Sequence, residues 1–343
     1  MTSLPTRKLG RTGPTTSAIG LGAMGMSDLY GPADEAESIA TLGAALDAGI
    51  TLIDTGDFYG MGHNELLIAE ALRGRNREEV QLSVKFGAQR GPDGAWLGYD
   101  AGPAATKTAL AYTLRRLRTD HIDVYRPARL DPQVPIEETV GAIADLVKAG
   151  YVRHIGLSEV GADTLRRAAA VHPISDLQIE YSLLSRGLEA EVLPTARELG
   201  IAVTAYGVLS RGLLSGHWTQ QRELAGTDFR GFSPRFQGEN LTHNLALVEA
   251  LRTIAEAKGA STAQVAIAWV AGRGEDIVPL VGARRRDRLA EALGALDLHL
   301  DQADLAAIEA AVPAGSAAGD RYAAAQMAHL DSEQSATAAH REH

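Results

Sequence analysis

The chain has 343 residues, 45% of them hydrophobic, and carries 33 basic against 43 acidic side chains for a formal net charge of -10. That balance, with no block of like charge, excludes a general binder of phosphate backbones or acidic membranes, so any nucleotide must be held locally. Cysteine is absent, which excludes disulfides, iron–sulfur clusters and a thiol nucleophile. The first residues lack the apolar core of a leader peptide, and no run is long enough to cross a bilayer; a cytoplasmic location is expected.

In chain order, residues 6–18 read as a hairpin that closes the floor of whatever follows. Short apolar runs of strand length then recur at 17–24, 51–54, 80–86, 122–125, 152–158, 177–180, 202–206 and 276–281. Amphipathic segments lie between and after them, near 34–48, 64–72, 103–117, 136–149, 161–171, 189–199, 242–258, 261–273 and 286–295. Ser261 with Gln264 has the spacing of a capping box, and Gly49, Gly150 and Gly200 stand where helices should stop. About eight βα units of this regularity predict an α/β fold, a (β/α)8 TIM barrel with an N-terminal β-hairpin and extra C-terminal helices, as one domain over residues 1–330. Residues 211–241 make a long Gly-rich, aromatic loop of the kind that carries function. The polar tail 331–343 is expected to be disordered.

The run GLGAMG at 20–25 matches the dinucleotide fingerprint G-x-G-x-x-G. Its context does not. The motif must open a helix directly, yet MSDLYGP follows, and the acidic residue expected about 20 positions on is missing. These glycines are better read as a strand and loop that approach a neighbour closely.

In a barrel, chemistry sits at the C-terminal strand ends. There Asp54 ends the second strand, Tyr59 follows it in DTGDFYG, and Lys85 ends the third. Singly they read as a capping Asp, a half-buried Tyr and a surface Lys. Together they make a chemical unit: a neighbouring ammonium lowers a phenol pKa by about 1 to 3 units, and a carboxylate keeps the Lys charged. Such an acid can protonate an oxygen that gains negative charge, as carbonyl reduction requires.

Several motifs resemble one family: DTGDFYGMGHNE, the Lys85 of SVKFG, DLVKAGYVRHIGLSEV, DLQIEYSLLSR, AYGVLSRGLLSG, RFQGEN and VPLVGARRRDRLAEALGAL. The chain is similar to the aldo-keto reductases, NADPH-dependent (β/α)8 enzymes, in the branch with pyridoxal reductases and related plant and bacterial carbonyl reductases. The likeness runs from about residue 6 to 325. It implies Tyr59 as proton donor with Asp54 and Lys85 as tuning partners, and an aldehyde or ketone as substrate. It places Ser158 and Gln178 on the nicotinamide carboxamide and Tyr206 behind the ring, with barrel packing as the alternative for Tyr206. Leu209, Arg211 and Gly212 fall in the loop over the pyrophosphate. Gly282, Ala283, Arg284 and Arg288 lie at the last strand–helix junction, where backbone N–H groups and cations suit phosphate. The cluster Arg284, Arg285, Arg286 and Arg288 points to a 2′-phosphate, hence NADP over NAD, with a solvated helix face as the alternative. Glu291 matches an adenine-contacting position whose usual Asn neighbour is here Ala292.

Other chemistries are weaker. No His pairing has zinc spacing, so no metal is expected. The Asp54/Asp57 pair suggests glycoside chemistry only faintly, and neither nucleic acid nor membrane is an expected partner.

The family's fourth catalytic residue, usually His, is missing. Against a context like DLYYQHRVDP this chain reads DVYRPARLDP, and Ala128 stands at the His position. Three readings are open: carbonyl reduction at reduced rate, an enlarged pocket for another substrate or pose, or an NADPH-binding regulatory protein with little turnover. Strand alternation points Arg126 into the barrel, where it either holds a water or substrate carboxylate or pairs with an acid such as Glu180. The loops near 24–31, 89–102 and 214–241 choose the substrate; Trp96, Trp218, Phe229, Phe232 and Phe236 suggest an aromatic lining, with core packing as the alternative. Nothing in the sequence sets the oligomeric state.

Overall fold

A computed structural model describes residues 4–27 and 29–334. Eight parallel strands close into a barrel: β1 Gly20–Gly22, β2 Leu52–Gly56, β3 Gln81–Phe86, β4 Ile122–Pro127, β5 Val152–Ser158, β6 Ile174–Glu180, β7 Ala202–Tyr206 and β8 Ile277–Gly282. β8 pairs with β1 through Leu280↔Gly20, which completes the ring. The helices between them are α1 Glu35–Asp47, α2 His63–Ala71, α3 Pro103–Leu117, α4 Ile136–Lys148, α5 Ala162–Val171 and α6 Val192–Leu199. β7 is followed by two helices, α7 Gly238–Ala257 and α8 Thr262–Ala271, and β8 by α9 Arg286–Leu293, α10 Gln302–Ala311 and the short α11 Ala324–Met327.

Strand alternation sorts side chains between two cores. The larger lies between sheet and helices; there Tyr125 stacks on Phe86 at 4.4 Å and its hydroxyl donates to Thr106 O. The smaller fills the barrel with Leu9, Leu52, Val124, Ala202, Val278 and Leu280. Leu9 comes from the predicted hairpin, which pairs Thr6–Lys8 with Thr15–Ser17 and plugs the N-terminal end. Gly20 matters inside the barrel: a Cβ there would sit 2.7 Å from Leu280 and 3.0 Å from Leu52. The glycine-rich run therefore serves close approach and is followed by a 3-10 turn, Met24–Met26; α1 begins only at Glu35, capped by Asp34.

Ser261 and Gln264 form the expected capping box on α8. Gly49, Gly150 and Gly200 each end a helix with positive φ. A second hairpin, Ala88–Arg90 with Trp96–Tyr99, follows β3 and was not anticipated. Residues 331–333, assigned to the tail, form a 3-10 turn packed on the barrel mouth; 335–343 lie outside the described residues. Among the described residues no helix is long and apolar enough to cross a membrane.

Candidate active site

Parallel pairing brings the predicted acid–base residues together at the C-terminal barrel mouth. Gly56 of β2 lies opposite Lys85 of β3, and Asp54 opposite Ser83. Lys85 Nζ donates to Asp54 Oδ1 at 2.5 Å, while Asp54 Oδ2 accepts from Ser83 Oγ at 2.8 Å and from Gln178 Nε2 at 2.7 Å. The carboxylate is thus held on both oxygens. Tyr59 opens the turn Tyr59–Gly62, where Gly60, Met61 and Gly62 all have positive φ and swing the chain sharply into α2. Its buried ring packs edge-on against Phe58 at 4.7 Å and lies 5.2 Å from Lys85 Nζ.

The electrostatics differ from the expected tuning. Burial and then the charge of Asp54 push the Tyr59 phenol well above its ordinary value, with Arg129 opposing. Burial lowers the Lys85 ammonium; Asp54 works against that, and Arg126 and Arg129 add to it. The net direction is therefore opposite to the anticipated lowering by Lys85: burial and the Asp54 charge outweigh the cation that opposes them, Arg129. Tyr59 is consequently a protonated acid across the neutral range.

Below this layer lies a second ion pair. Arg126 is fully buried; its Nη1 and Nη2 donate to Asp176 Oδ2 and Oδ1 at 2.9 and 3.3 Å, and Nη2 also reaches Ser83 Oγ at 2.9 Å. Thr204 and Ser175 hydroxyls donate to the same carboxylate. Ser83 therefore links the two pairs, accepting from Arg126 and donating to Asp54. The acid partner is Asp176, not Glu180, because Gly156 of β5 leaves the room: a Cβ there would lie 2.9 Å from both the Arg126 guanidinium and Asp176 Oδ1.

Glu180 belongs to a network on the far side of the mouth that sequence reasoning missed. It accepts from Arg211 at 2.8 Å and also faces Arg321 and Arg235. Glu159, in a left-handed backbone conformation, accepts from Arg321 (2.6 and 2.8 Å), from Ser332 Oγ (2.6 Å) and from Tyr206 Oη (2.6 Å). Burial would raise the Glu159 pKa, but Arg321 outweighs it and holds the carboxyl well below the usual range. Tyr322 completes the cluster, 2.9 Å from the Tyr206 hydroxyl, with its ring under Arg211 at 4.2 Å. The signal for these residues was the GDRY run near 319–322, whose spatial role needs the fold.

The residues assigned to a cofactor divide. Ser158 and Gln178 are neighbours in register, both buried, and among the described residues Ser158 Oγ has no hydrogen-bond partner. Such an orphaned hydroxyl next to the Gln178 side of the mouth fits the amide of a nicotinamide. Gly282 is open, since a Cβ there would meet nothing, and Ala283 follows it toward the N-terminus of α9. Arg284 donates to the carbonyls of Tyr30 and Pro32. Arg285 pairs with Asp287, Arg286 with Glu37 and Arg288 with Glu291, so three cations of the cluster already face acids. Leu209 caps the 3-10 turn Ser210–Ser215, in which Arg211 and Gly212 have positive φ; Arg211 itself is bound to Glu180 and to Arg321 O. Of the five loop aromatics, Trp218 and Phe236 pack together in the core and Phe232 is exposed. Trp96 lies 5.9 Å from Phe58, and Phe229 lies 5.4 Å from Tyr30.

Comparisons with known proteins agree with this architecture. The aldo/keto reductase family model matches residues 18–313. A probable aldo-keto reductase 1 from Glycine max is 42% identical over 318 residues, 92% of this chain and 91% of that protein. A glycerol dehydrogenase from Gluconobacter oxydans superposes with a TM-score of 0.81 at 27% identity, covering 98% of this chain and 99% of that one. A thermostable aldo-keto reductase, Tm1743, solved with the inhibitor epalrestat, gives 0.72 at 27% identity, covering 90% and 100%. A closed barrel with Asp54, Tyr59 and Lys85 converging at its C-terminal mouth, matched over nearly its whole length, belongs to the aldo/keto reductase family of nicotinamide-dependent oxidoreductases.

Proposed function

We propose that the protein reduces aldehydes or ketones with NADPH, using Tyr59 as the proton donor. The observation that carries this reading is the buried Lys85–Asp54 pair beside the Tyr59 ring, which has no evident purpose in a chain that only binds a nucleotide. Ser158, Gln178 and Tyr206 would hold a reduced nicotinamide, which would supply the hydride when bound. The protein's own residues do the rest. Tyr59 holds its proton at Oη until a carbonyl oxygen develops charge; a raised pKa keeps it protonated beforehand, and the nearby Arg129 cation, which opposes that rise, stabilises the phenolate afterwards. Asp54, held by Ser83 and Gln178, fixes the Lys85 ammonium in place. In the reverse direction the same phenolate accepts the proton of an alcohol.

Arg284, the one member of the basic cluster without a carboxylate partner among the described residues, supports preference for a 2′-phosphate. The methyl group of Ala128, buried where the family has His, removes one polar donor from the substrate side. Loss of a single such donor typically lowers rate by about 10²- to 10³-fold unless another group compensates. Tyr59→Phe is expected to lower kcat for small aldehydes by about 10²- to 10⁴-fold while the Kd for NADPH stays within a few-fold. Steady-state oxidation of NADPH checks this, and undiminished turnover by the variant would remove Tyr59 from the mechanism.

A further inference from the structure

The cations buried in the barrel and at its mouth that face the acid–base residues and their neighbours have carboxylates: Lys85 has Asp54, Arg126 has Asp176, Arg211 has Glu180 and Arg321 has Glu159. Arg129 does not. It follows Ala128 just beyond β4, and among the described residues it forms no ion pair. Its Nη1 donates to Ala128 O at 2.6 Å, its Nη2 reaches Tyr322 Oη at 3.4 Å, and its Cζ lies 6.0 Å from the Tyr322 ring. The acid whose field it feels, Glu159, is already engaged by Arg321, Ser332 and Tyr206. Its charge also acts on Tyr59, Lys85 and Tyr99, so the guanidinium sits among the acid–base residues and not on the outer surface.

A guanidinium has five N–H donors in a planar fork. Two contacts, one of them long, leave much of that fork unused. A half-buried cation in aromatic surroundings is poorly solvated and gains most from an anion that enters with the substrate. The carboxylate is the planar match for bidentate binding. The neighbouring methyl of Ala128 brings no competing donor.

We propose that Arg129 anchors the substrate by a carboxylate, so that the preferred substrates are carbonyl compounds that also carry a carboxylate group, with the C=O presented to Tyr59. This rests on the reductase reading given above and adds the substrate class. The aromatic side chains Tyr99, Tyr322 and Phe58 around the mouth favour an acid with a ring or an extended chain over a very small one.

The test compares 3- and 4-carboxybenzaldehyde with their methyl esters as substrates for NADPH oxidation, in the wild type, Arg129→Leu and Arg129→Lys. The expected wild-type kcat/KM for at least one acid exceeds that for its ester by about 10- to 100-fold, the range of a charge-assisted bond, and the difference lies in KM. Arg129→Leu brings that acid-to-ester ratio close to one and Arg129→Lys restores part of it. Because the ratio is taken within each variant, a general loss of active protein cancels. A wild-type ratio near one, or a ratio that survives in Arg129→Leu, overturns the assignment; so does a loss confined to kcat and equal for acid and ester, which would place Arg129 on the reacting oxygen. If no aldehyde is turned over, the reductase reading fails separately, and calorimetric titration of benzoate into the NADP-loaded protein still decides the anchor. Binding about tenfold weaker in Arg129→Leu supports it, and equal binding, or competition by inorganic phosphate but not benzoate, overturns it.

Discussion

Arg126 and Asp176 put two full charges in the middle of the barrel, where burial is complete on both side chains. Taking them out of water is unfavourable, and their mutual attraction offsets this only with good geometry and further hydrogen bonds. Ser83, Thr204 and Ser175 provide those bonds. Arg126→Leu is expected to destabilise the fold by about 3 to 5 kcal/mol, because it strands the Asp176 charge, whereas Arg126→Leu with Asp176→Leu recovers most of that loss. Urea unfolding of both variants checks this; a double variant no more stable than the single one would show that the pair matters for more than charge balance. The sequence placed Arg126 inside the barrel by alternation but chose Glu180 as partner. Asp176, Gln178 and Glu180 all face inward, and nothing in a linear pattern says which layer meets Arg126; the space left by Gly156 decides it. The same limit explains Tyr59. Its proximity to Lys85 could be inferred from strand ends, but not that the ammonium is held to Asp54 and that burial dominates the phenol.

At the scale of elements, the turn from β2 into α2 carries a half-buried acid. Asp57 is pushed up to about 7, first by burial and then by the charge of Glu65, with Arg116 opposing. Its pKa in the unfolded chain is about 4, so the folded state favours the protonated form. The resulting stability is fully present below the unfolded value and is lost as pH rises through the folded one. Asp57→Asn, which removes this titration, is expected to raise Tm by about 2 °C or more at pH 8 and to leave it unchanged near pH 4. Thermal unfolding at the two pH values measures it, and an equal shift at both would mean that Asp57 does not titrate in this window. Regular helices and strands were readable because periodicity and caps reach the sequence directly, as Ser261 with Gln264 shows. The hairpin at 88–99 was not, since its strands are only three and four residues long and their pairing is visible only in space. The turn at 331–333 looked like polar tail because its structure comes from partners far along the chain: Asp331 accepts from Gly161 N, and Ser332 donates to Glu159.

At the scale of the whole molecule, the barrel is the part most plainly written in the sequence, since eight repeats of one pattern allow few other closures. The acid–base residues followed from it, because strand ends share one face. What was not legible is the far wall of the mouth. Residues just after β5, at the end of β6, in the loop after β7 and in the C-terminal segment meet there around Glu159, Glu180, Arg321 and Tyr322, and Arg321 lies 162, 141 and 110 residues from its partners Glu159, Glu180 and Arg211. The central claim is that this mouth passes hydride to a carbonyl carbon while Tyr59 supplies the proton. The most direct measurement is the fate of deuterium from NADPH labelled at the transferred position of C4, incubated with an aromatic aldehyde and the wild-type protein. The account predicts one deuterium on the carbinol carbon of the alcohol, and almost none formed with Tyr59→Phe. An alcohol without the label, or labelled cofactor that stays bound and unoxidised, would contradict it.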